Sequence, residues 1–375
     1  MCVPPGCGPG TCTDGCCQGD ACISPPTGAA CGIGGAACLA CSPSVPFCIA
    51  GACAVGTWTA RSTFGSGPGS AGNQFDKPWA AALSADDLTL YVADSANARV
   101  AVWTRTSASA SWTAAAPIGN GSGSANDQFV DPSGLALSAD GLTLYVADDV
   151  ACRVSVWTRA NASAPWLAQT PIGAGFGAAN DQFKSPMDVA LSPDERELYV
   201  SDRLNDRVCV WTRANPADPW QAQTPLGNGT GSADDQFSTP VGLIFSPDGL
   251  ELLVANRRTD QISRWTRSAT SQPWQAQPVF GSTGAALDQF NYPNFLALSP
   301  DALTLYIADT DNNRITIWSR SVASAAWVAT DVLGAGPGTA LDQFDLPYGV
   351  ALSTDGYELL VVDRDNNRVV AWKKG

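Results

Sequence analysis

The chain has 375 residues, with 35 acidic side chains against 21 basic ones, no histidine, and a formal net charge of −14. That balance argues against nucleic acid, whose phosphates need a basic surface, and the missing histidine removes every His-dependent triad and zinc site. No run of about 18 apolar residues occurs, so no transmembrane segment is expected, and the plain reading of the acidity is solubility.

The first 55 residues stand apart. They carry eleven of the 13 cysteines, separated by Gly, Pro, Ala and Ser. A stretch this short and this poor in large apolar residues needs cross-links to fold. A metal cluster is one reading, because Cys38 and Cys41 have ligand-like spacing; a second such pair is missing. The favoured reading is a disulfide-stapled module over 1–55, drawing on Cys7, Cys12, Cys16, Cys17, Cys22, Cys31, Cys38, Cys41, Cys48 and Cys53, with connectivity left open. Disulfides imply an extracellular or cell-surface location, yet Met1 is followed at once by Cys2 with no hydrophobic signal region. A mature form, a trimmed chain and a fragment all stay open. So do the fates of Cys2: a lipid anchor, an intermolecular disulfide, or pairing inside the module.

From residue 56 onward the chain repeats. Gln-Phe pairs at 74–75, 128–129, 182–183, 236–237, 289–290 and 343–344 mark six units spaced by 54, 54, 54, 53 and 54 residues. A fixed period of this size means one supersecondary unit per repeat, stacked so that neighbours bury each other's faces. In the second unit Gly134–Ser138, Leu144–Ala147, Arg153–Trp157 and Trp166–Thr170 read as four short strands bounded by Gly, Asp or Pro. Four antiparallel strands in each of six units predict an all-β, six-bladed propeller over 56–375. Pro117, Pro171, Pro225 and Pro278 place the fourth strand at the outer edge, where a missing N–H is harmless. The ends predict closure. Trp58 begins a fourth-strand segment with no third strand before it, while Trp372 ends a third strand with no fourth after it. Residues 57–63 are therefore expected to complete blade six.

Cys152 and Cys209, in blades two and three, read as small buried side chains, with a bridge or a reactive thiol as the other reading. The sequons at Asn120, Asn161 and Asn228 sit in loops. Scarce lysine with plentiful alanine and arginine points to a GC-rich bacterial source, where such sequons arise by chance.

The most chemical-looking string is Asp-x-x-Asn-x-Arg. It joins Asp94 to Arg99, Asp202 to Arg207, Asp309 to Arg314 and Asp363 to Arg368; Asp148 and Arg153 keep the charges but have Ala151 between them. A tight hairpin would bring each pair into a charge-assisted hydrogen bond. Blade four replaces both charges, with Asn256 and Gln261, which suggests mutual contact and a structural role.

Taken together, the Asp-Gln-Phe, Pro-x-Gly-x-Ala-x-Ser-x-Asp-Gly and Leu-Tyr-Val-Ala-Asp-x-x-Asn-x-Arg-Val strings resemble the NHL repeat family over 57–375. The resemblance implies a six-bladed propeller and a platform that binds proteins, RNA or small ligands through one face. The cysteine pattern is similar to short modules of secreted or surface proteins of myxobacteria-like species. Some six-bladed relatives are enzymes. Peptidylglycine amidating lyases use zinc held by histidines, which are absent here. Gluconolactonase-like propellers hold a divalent metal with axial carboxylates and an asparagine, for which this chain offers only Asp188 and Asn294, too few for a hard cation. Neither a metal nor a cofactor is expected, and an enzyme is disfavoured.

The twelve repeat tryptophans read as cross-strand packing, with sugar-stacking shelves as the other reading. Trp79 stands off the repeat, just after the repeat proline, where the other blades have Ser133, Met187, Val241, Asn294 and Tyr348. A ligand site, if present, is expected at this axial mouth: Trp79, Met187, Asp188, Asn294, Phe295 and Tyr348, ringed by Arg203, Arg257, Arg258 and Arg364 as anion contacts. The favoured function is a secreted or surface-exposed binding scaffold with a protein, glycan or small-molecule partner. A self-assembling structural protein and a lactonase-like enzyme are the alternatives.

Overall fold

A computed structural model describes residues 56–375 and, within 1–55, only the backbone of six short strands. Those strands form three two-stranded antiparallel ladders: Cys16–Gln18 with Ala21–Ile23, Ala30–Cys31 with Leu39–Ala40, and Phe47–Ile49 with Ala52–Ala54. The proposed disulfide set, Cys7 through Cys53, and Cys2 lie outside the residues whose side chains are described. Cys152 and Cys209 are free and buried.

Each repeat becomes one four-stranded antiparallel sheet, and there are six such sheets. The innermost strands are Pro78–Leu83, Pro132–Leu137, Pro186–Leu191, Pro240–Phe245, Pro293–Leu298 and Pro347–Leu352. Each packs against the next, and the last packs against the first, so the ring shuts. The sixth sheet runs Pro347–Leu352, Glu358–Asp363, Arg368–Lys374 and then Trp58–Phe64, so the earliest strand of the repeat region supplies its outer edge. By compactness the chain divides into Ala60–Ala371 and a smaller unit of Met1–Thr59 with Trp372–Gly375. Within the smaller unit Thr57 and Gly375 exchange backbone hydrogen bonds of 3.1 and 3.2 Å, and the Lys374 ammonium lies 5.8 Å from the Trp58 ring.

The core forms between blades. Phe75, Phe129, Phe183, Phe237, Phe290 and Phe344, the aromatic halves of the Gln-Phe pairs, are fully buried. Phe129 packs on Trp157 and Phe237 on Trp265, with ring centroids 5.6 and 5.8 Å apart. The same ring rules out a side chain at Gly119, whose φ is +108° and whose Cβ would lie 2.8 Å from Phe129 Cδ2.

The fourth strands depart from the sequence reading. In blades one to three they shrink to Thr113–Ala114, Leu167–Ala168 and Gln221–Ala222. The chain then bulges at Pro117, Pro171 and Pro225 and rejoins through single bridges such as Val100 to Ile118. Proline has no N–H for the ladder, so pairing stops and restarts around it. Blades four, five and six have Val279, Val332 and Thr63 at that position and keep longer strands, Gln275–Phe280, Val328–Leu333 and Trp58–Phe64; the proline of blade four, Pro278, sits one residue earlier, inside its strand.

Candidate functional site

The Asp-x-x-Asn-x-Arg hairpins bind the Gly-rich loops and so build one face. Arg99 Nε donates to Asp94 at 2.7 Å, while its Nη atoms donate to the carbonyls of Ser70, Ala71 and Gln74. Asn97 donates both to Asp94 and to the Gly69 carbonyl. Equivalent pairs hold Asp202 to Arg207 at 3.0 Å, Asp309 to Arg314 at 2.6 Å and Asp363 to Arg368 at 2.6 Å. In blade two, where Ala151 replaces the asparagine, Asp148 and Arg153 separate to 3.4 Å. Burial pushes the carboxyls of Asp94, Asp148, Asp309 and Asp363 above the usual range, and the hydrogen bonds they accept oppose it. In blade four Asn256 instead accepts from the Ser238 N–H and donates to Ser263 at 2.6 Å, so a neutral trio replaces the ion pair.

A second set of residues on this face has no counterpart in the sequence reading. The residue just before each repeat arginine, or before Gln261 in blade four, has φ near +50° and, in blades three to six, reaches the next blade. Asp206 accepts from the Thr239 N–H, Asp260 from Tyr292, Asn313 from Leu346 and Asn367 from Lys77. Cys152 holds this position in blade two, with Sγ 3.8 Å from the Lys184 carbonyl. Asp and Asn tolerate the left-handed conformation, which is the local signal; the partner lies in the next blade, 32 or 33 residues on, or 290 residues back where Asn367 closes the ring onto Lys77, and has no fixed identity.

At the axis the six residues after the repeat proline converge. Ser133, Met187, Val241, Asn294 and Tyr348 are buried, and Trp79 is half-buried. Trp79 packs against the core cluster that contains Met187 and Val241, and meets Tyr348 edge-on at 4.8 Å. Side chains from blades one, three, four and six therefore plug the channel here. Met187 and Asn294 are fully buried within the plug. Asn294 donates to Thr310 at 2.6 Å, while its Oδ1 has no hydrogen-bond partner.

Over the plug lie two guanidinium groups. Arg364 stands 4.9 Å from the Tyr348 ring and 5.5 Å from Trp79, and Arg257 stands 5.0 Å from Tyr292 and 5.7 Å from Tyr348. Arg257 also donates to the Tyr348 hydroxyl at 3.1 Å. Arg364 and Lys77 share Asp365 at 2.7 and 3.0 Å, whereas Arg257 makes no ion-pair contact with a carboxylate among the described residues, although Asp311 lies near enough to feel its charge. The Nε of both arginines is buried without a hydrogen-bond partner. Arg258 is exposed on the same hairpin. Arg203 is tied to Ser185 and Asp149, so it is already engaged. Beside this cluster a cavity of about 470 Å³ is lined by Lys77, Trp79, Ser95, Asp131, Val150 and Arg364.

Beneath the plug a second cavity, about 370 Å³, runs along the inner strands. Asp188 and Phe295 line it rather than the mouth. Among the described residues no group of three or more His, Cys, Asp or Glu is placed to hold a metal ion, and no helix is long and apolar enough to cross a membrane.

The outer rim repeats a further motif that the sequence reading passed over. Arg105, Arg159, Arg213, Arg267 and Arg320 lie 4.2 to 4.5 Å from the rings of Trp112, Trp166, Trp220, Trp274 and Trp327. Several also reach acids at the rim, as Arg320 does to Glu251 at 2.6 Å. These tryptophans are covered by cations, which fits packing and leaves no open sugar shelf.

Ring, hairpins and axial plug together define a six-bladed β-propeller. The NHL repeat family matches residues 290–318. The Lactonase, 7-bladed beta-propeller family matches residues 55–277, more than half of the chain, and the chain belongs to that family, with six blades where the family's description has seven. The chain is similar to NHL repeat-containing protein 2 of Bos taurus, 27% identical over 180 residues, which is 43% of this chain and only 24% of that protein. Among solved structures it is similar to the periplasmic gluconolactonase of Pseudomonas aeruginosa (TM-score 0.55, 19% identity, 84% of this chain and 90% of that one). It is also similar to a putative 6-phosphogluconolactonase from Bacteroides uniformis (TM-score 0.56, 16% identity, 80% and 82% covered). At these identities the likeness is one of fold.

Proposed function

We propose that the chain is a secreted or surface-exposed binding protein whose axial mouth takes an anionic ligand. The observation that carries this is Arg257: a half-buried guanidinium against two tyrosine rings, with Asp311 near enough to feel its charge but no carboxylate in ion-pair contact among the described residues, in a chain of net charge −14. A cation so placed among so many acids is positioned for a charge from outside. The exposed Arg258 adds to it, as do Arg364 and Lys77, two cations that share the single carboxylate of Asp365, and Trp79 and Tyr348 supply flat faces for the body of the ligand. The cysteine-rich first 53 residues support the extracellular placement. Calorimetry with gluconate, inorganic phosphate and a sulfated oligosaccharide tests the site. At least one should bind the parent chain, and Arg257→Ala with Arg364→Ala should weaken it by about tenfold or more, roughly 1.4 kcal/mol. Equal affinity in the double variant refutes the reading.

Family membership favours a second reading, hydrolysis of a sugar lactone. The lone carboxyl of Asp188 would then be the candidate acid–base group, pushed up to about 8 by burial. Turnover of glucono-δ-lactone, lost in Asp188→Asn and retained in Arg257→Ala, would favour hydrolysis over binding.

A further inference from the structure

The cavity beneath the plug breaks the repeat in one place. At the position of Asp188 the other blades carry Ala80, Gly134, Gly242, Phe295 and Gly349. One blade out of six therefore puts a carboxyl on the axis. It does so where the wall is otherwise made of side chains such as Ala82, Leu137, Val189, Ile244 and Leu352, and where no lysine or arginine lines the space. The carboxyl is not a bystander held by a neighbouring charge. Its Oδ2 accepts from the Leu243 N–H at 2.9 Å on the next inner strand, and its Oδ1 accepts from the Val189 N–H at 2.8 Å. A carboxylate has about four lone-pair sites, so two are left. On its other side Gly134 lies so close that any Cβ there would stand 2.2 Å from Oδ1, so the carboxyl rests against bare backbone. The volume, about 370 Å³, suits a small organic molecule.

We infer that this cavity binds a small organic amine, its ammonium group paired with Asp188 and its hydrocarbon body against the Ala, Leu and Val wall. The charge logic selects the ligand. Burial disfavours the charged carboxyl, so at neutral pH Asp188 carries a proton; an ammonium group that arrives with its own donors takes that proton's place, the proton leaves to solvent, and the cost of the buried charge is met by a charge-assisted hydrogen bond. A neutral molecule of the same shape gains the apolar contacts alone. The inner strands add edge carbonyls, since each is the last strand of its sheet on the axial side. The plug separates this cavity from the arginine mouth, so the inference stands apart from the anion reading.

The test is a binding titration of the whole chain with benzylamine and its neutral isostere benzyl alcohol, in phosphate buffer. The parent chain should bind the amine about tenfold or more tighter than the alcohol. Asp188→Asn should erase that preference, Ala136→Phe, which fills the cavity from blade two, should abolish saturable binding of both, and Arg257→Ala should change neither. Equal binding of amine and alcohol overturns the inference. So does amine binding that survives Asp188→Asn or Ala136→Phe in a chain whose circular dichroism is unchanged, or the absence of saturable amine binding by the folded parent. If Asp188→Asn does not fold, the amine–alcohol comparison and Ala136→Phe decide the matter alone.

Discussion

Asp188 makes a prediction about stability that needs no ligand. Burial is the main cause that raises its carboxyl to about 8, and the two backbone N–H groups oppose it only in part. No charged side chain perturbs it. In the unfolded chain the same group titrates near 3.8. A carboxyl whose folded value is raised favours the fold fully below the unfolded value, and that advantage is lost as the pH climbs to the folded value. The window is therefore about pH 4 to 8. Inside it the folded state holds one more proton than the unfolded state, so stability falls by about 1.4 kcal/mol per pH unit from this group. Between pH 5 and pH 7 the loss is roughly 2.7 kcal/mol. Asparagine at 188 cannot titrate. It also cannot accept both N–H bonds, so it carries a fixed penalty of about 1–3 kcal/mol that does not vary with pH. The assay is urea unfolding of the parent and of Asp188→Asn, followed by tryptophan fluorescence at pH 5, 6 and 7 in buffers free of amines. The stability difference between the two should shift in favour of the variant by roughly 2.7 kcal/mol across that range. A difference that stays constant to within about half a kcal/mol would mean that Asp188 is ionised in the fold throughout, and would remove the reasoning about its burial.

Other expectations follow from the repeat. Asp309→Ala strands Arg314 and the Asn291 N–H, and should destabilise the chain by about 3–5 kcal/mol. The double change Asp309→Asn with Arg314→Gln copies the neutral arrangement of blade four, with Thr316 in the place of Ser263, and should cost less than Asp309→Ala in the same urea assay. Gly121→Ala, where φ is +83° and nothing lies within 4 Å, should cost only about 1 kcal/mol of backbone strain. Gly119→Ala must also displace the Phe129 ring and should cost at least about twice as much; equal midpoints would contradict the packing described for that ring. Burial raises the thiols of both Cys209 and Cys152, so neither holds thiolate at neutral pH. Mass spectrometry should find both unmodified by iodoacetamide in the native chain and modified in urea; equal rates in the two states would contradict that burial.

Much of this architecture was legible because it is periodic. The Gln-Phe register gave the blade count, and the unmatched Trp58 and Trp372 pointed to the closing strand, which spans Trp58–Phe64. The joint loss at Asn256 and Gln261 pointed to contact within one hairpin; the two are register partners beside its turn, but the Asn256 side chain bonds to Ser238 and Ser263 instead. What escaped was of two kinds. Bonds between blades, such as Asp260 to the Tyr292 N–H, join a side chain to a backbone group and impose no residue type on the partner. Pattern reading has nothing to detect there. Positions on the axis escaped for a different reason. Met187 and Trp79 occupy equivalent places in the repeat, yet one is sealed in the core and the other is half-exposed at the mouth. Their fates depend on what the other blades contribute at the same level.

That dependence explains where function can reside in such a ring. Away from the axis each blade has its own space, so the same arginine can stack on the same tryptophan in five blades without conflict. At the axis the blades share one volume. Six copies of Trp79 could not fit where Trp79, Met187, Val241 and Tyr348 meet, and six carboxyls at the level of Asp188 would repel one another across a channel of low dielectric. Crowding forbids symmetry there, so the levels along the axis must differ from blade to blade. Both proposed sites, the arginine mouth above the plug and the carboxyl below it, lie where the repeat is obliged to break.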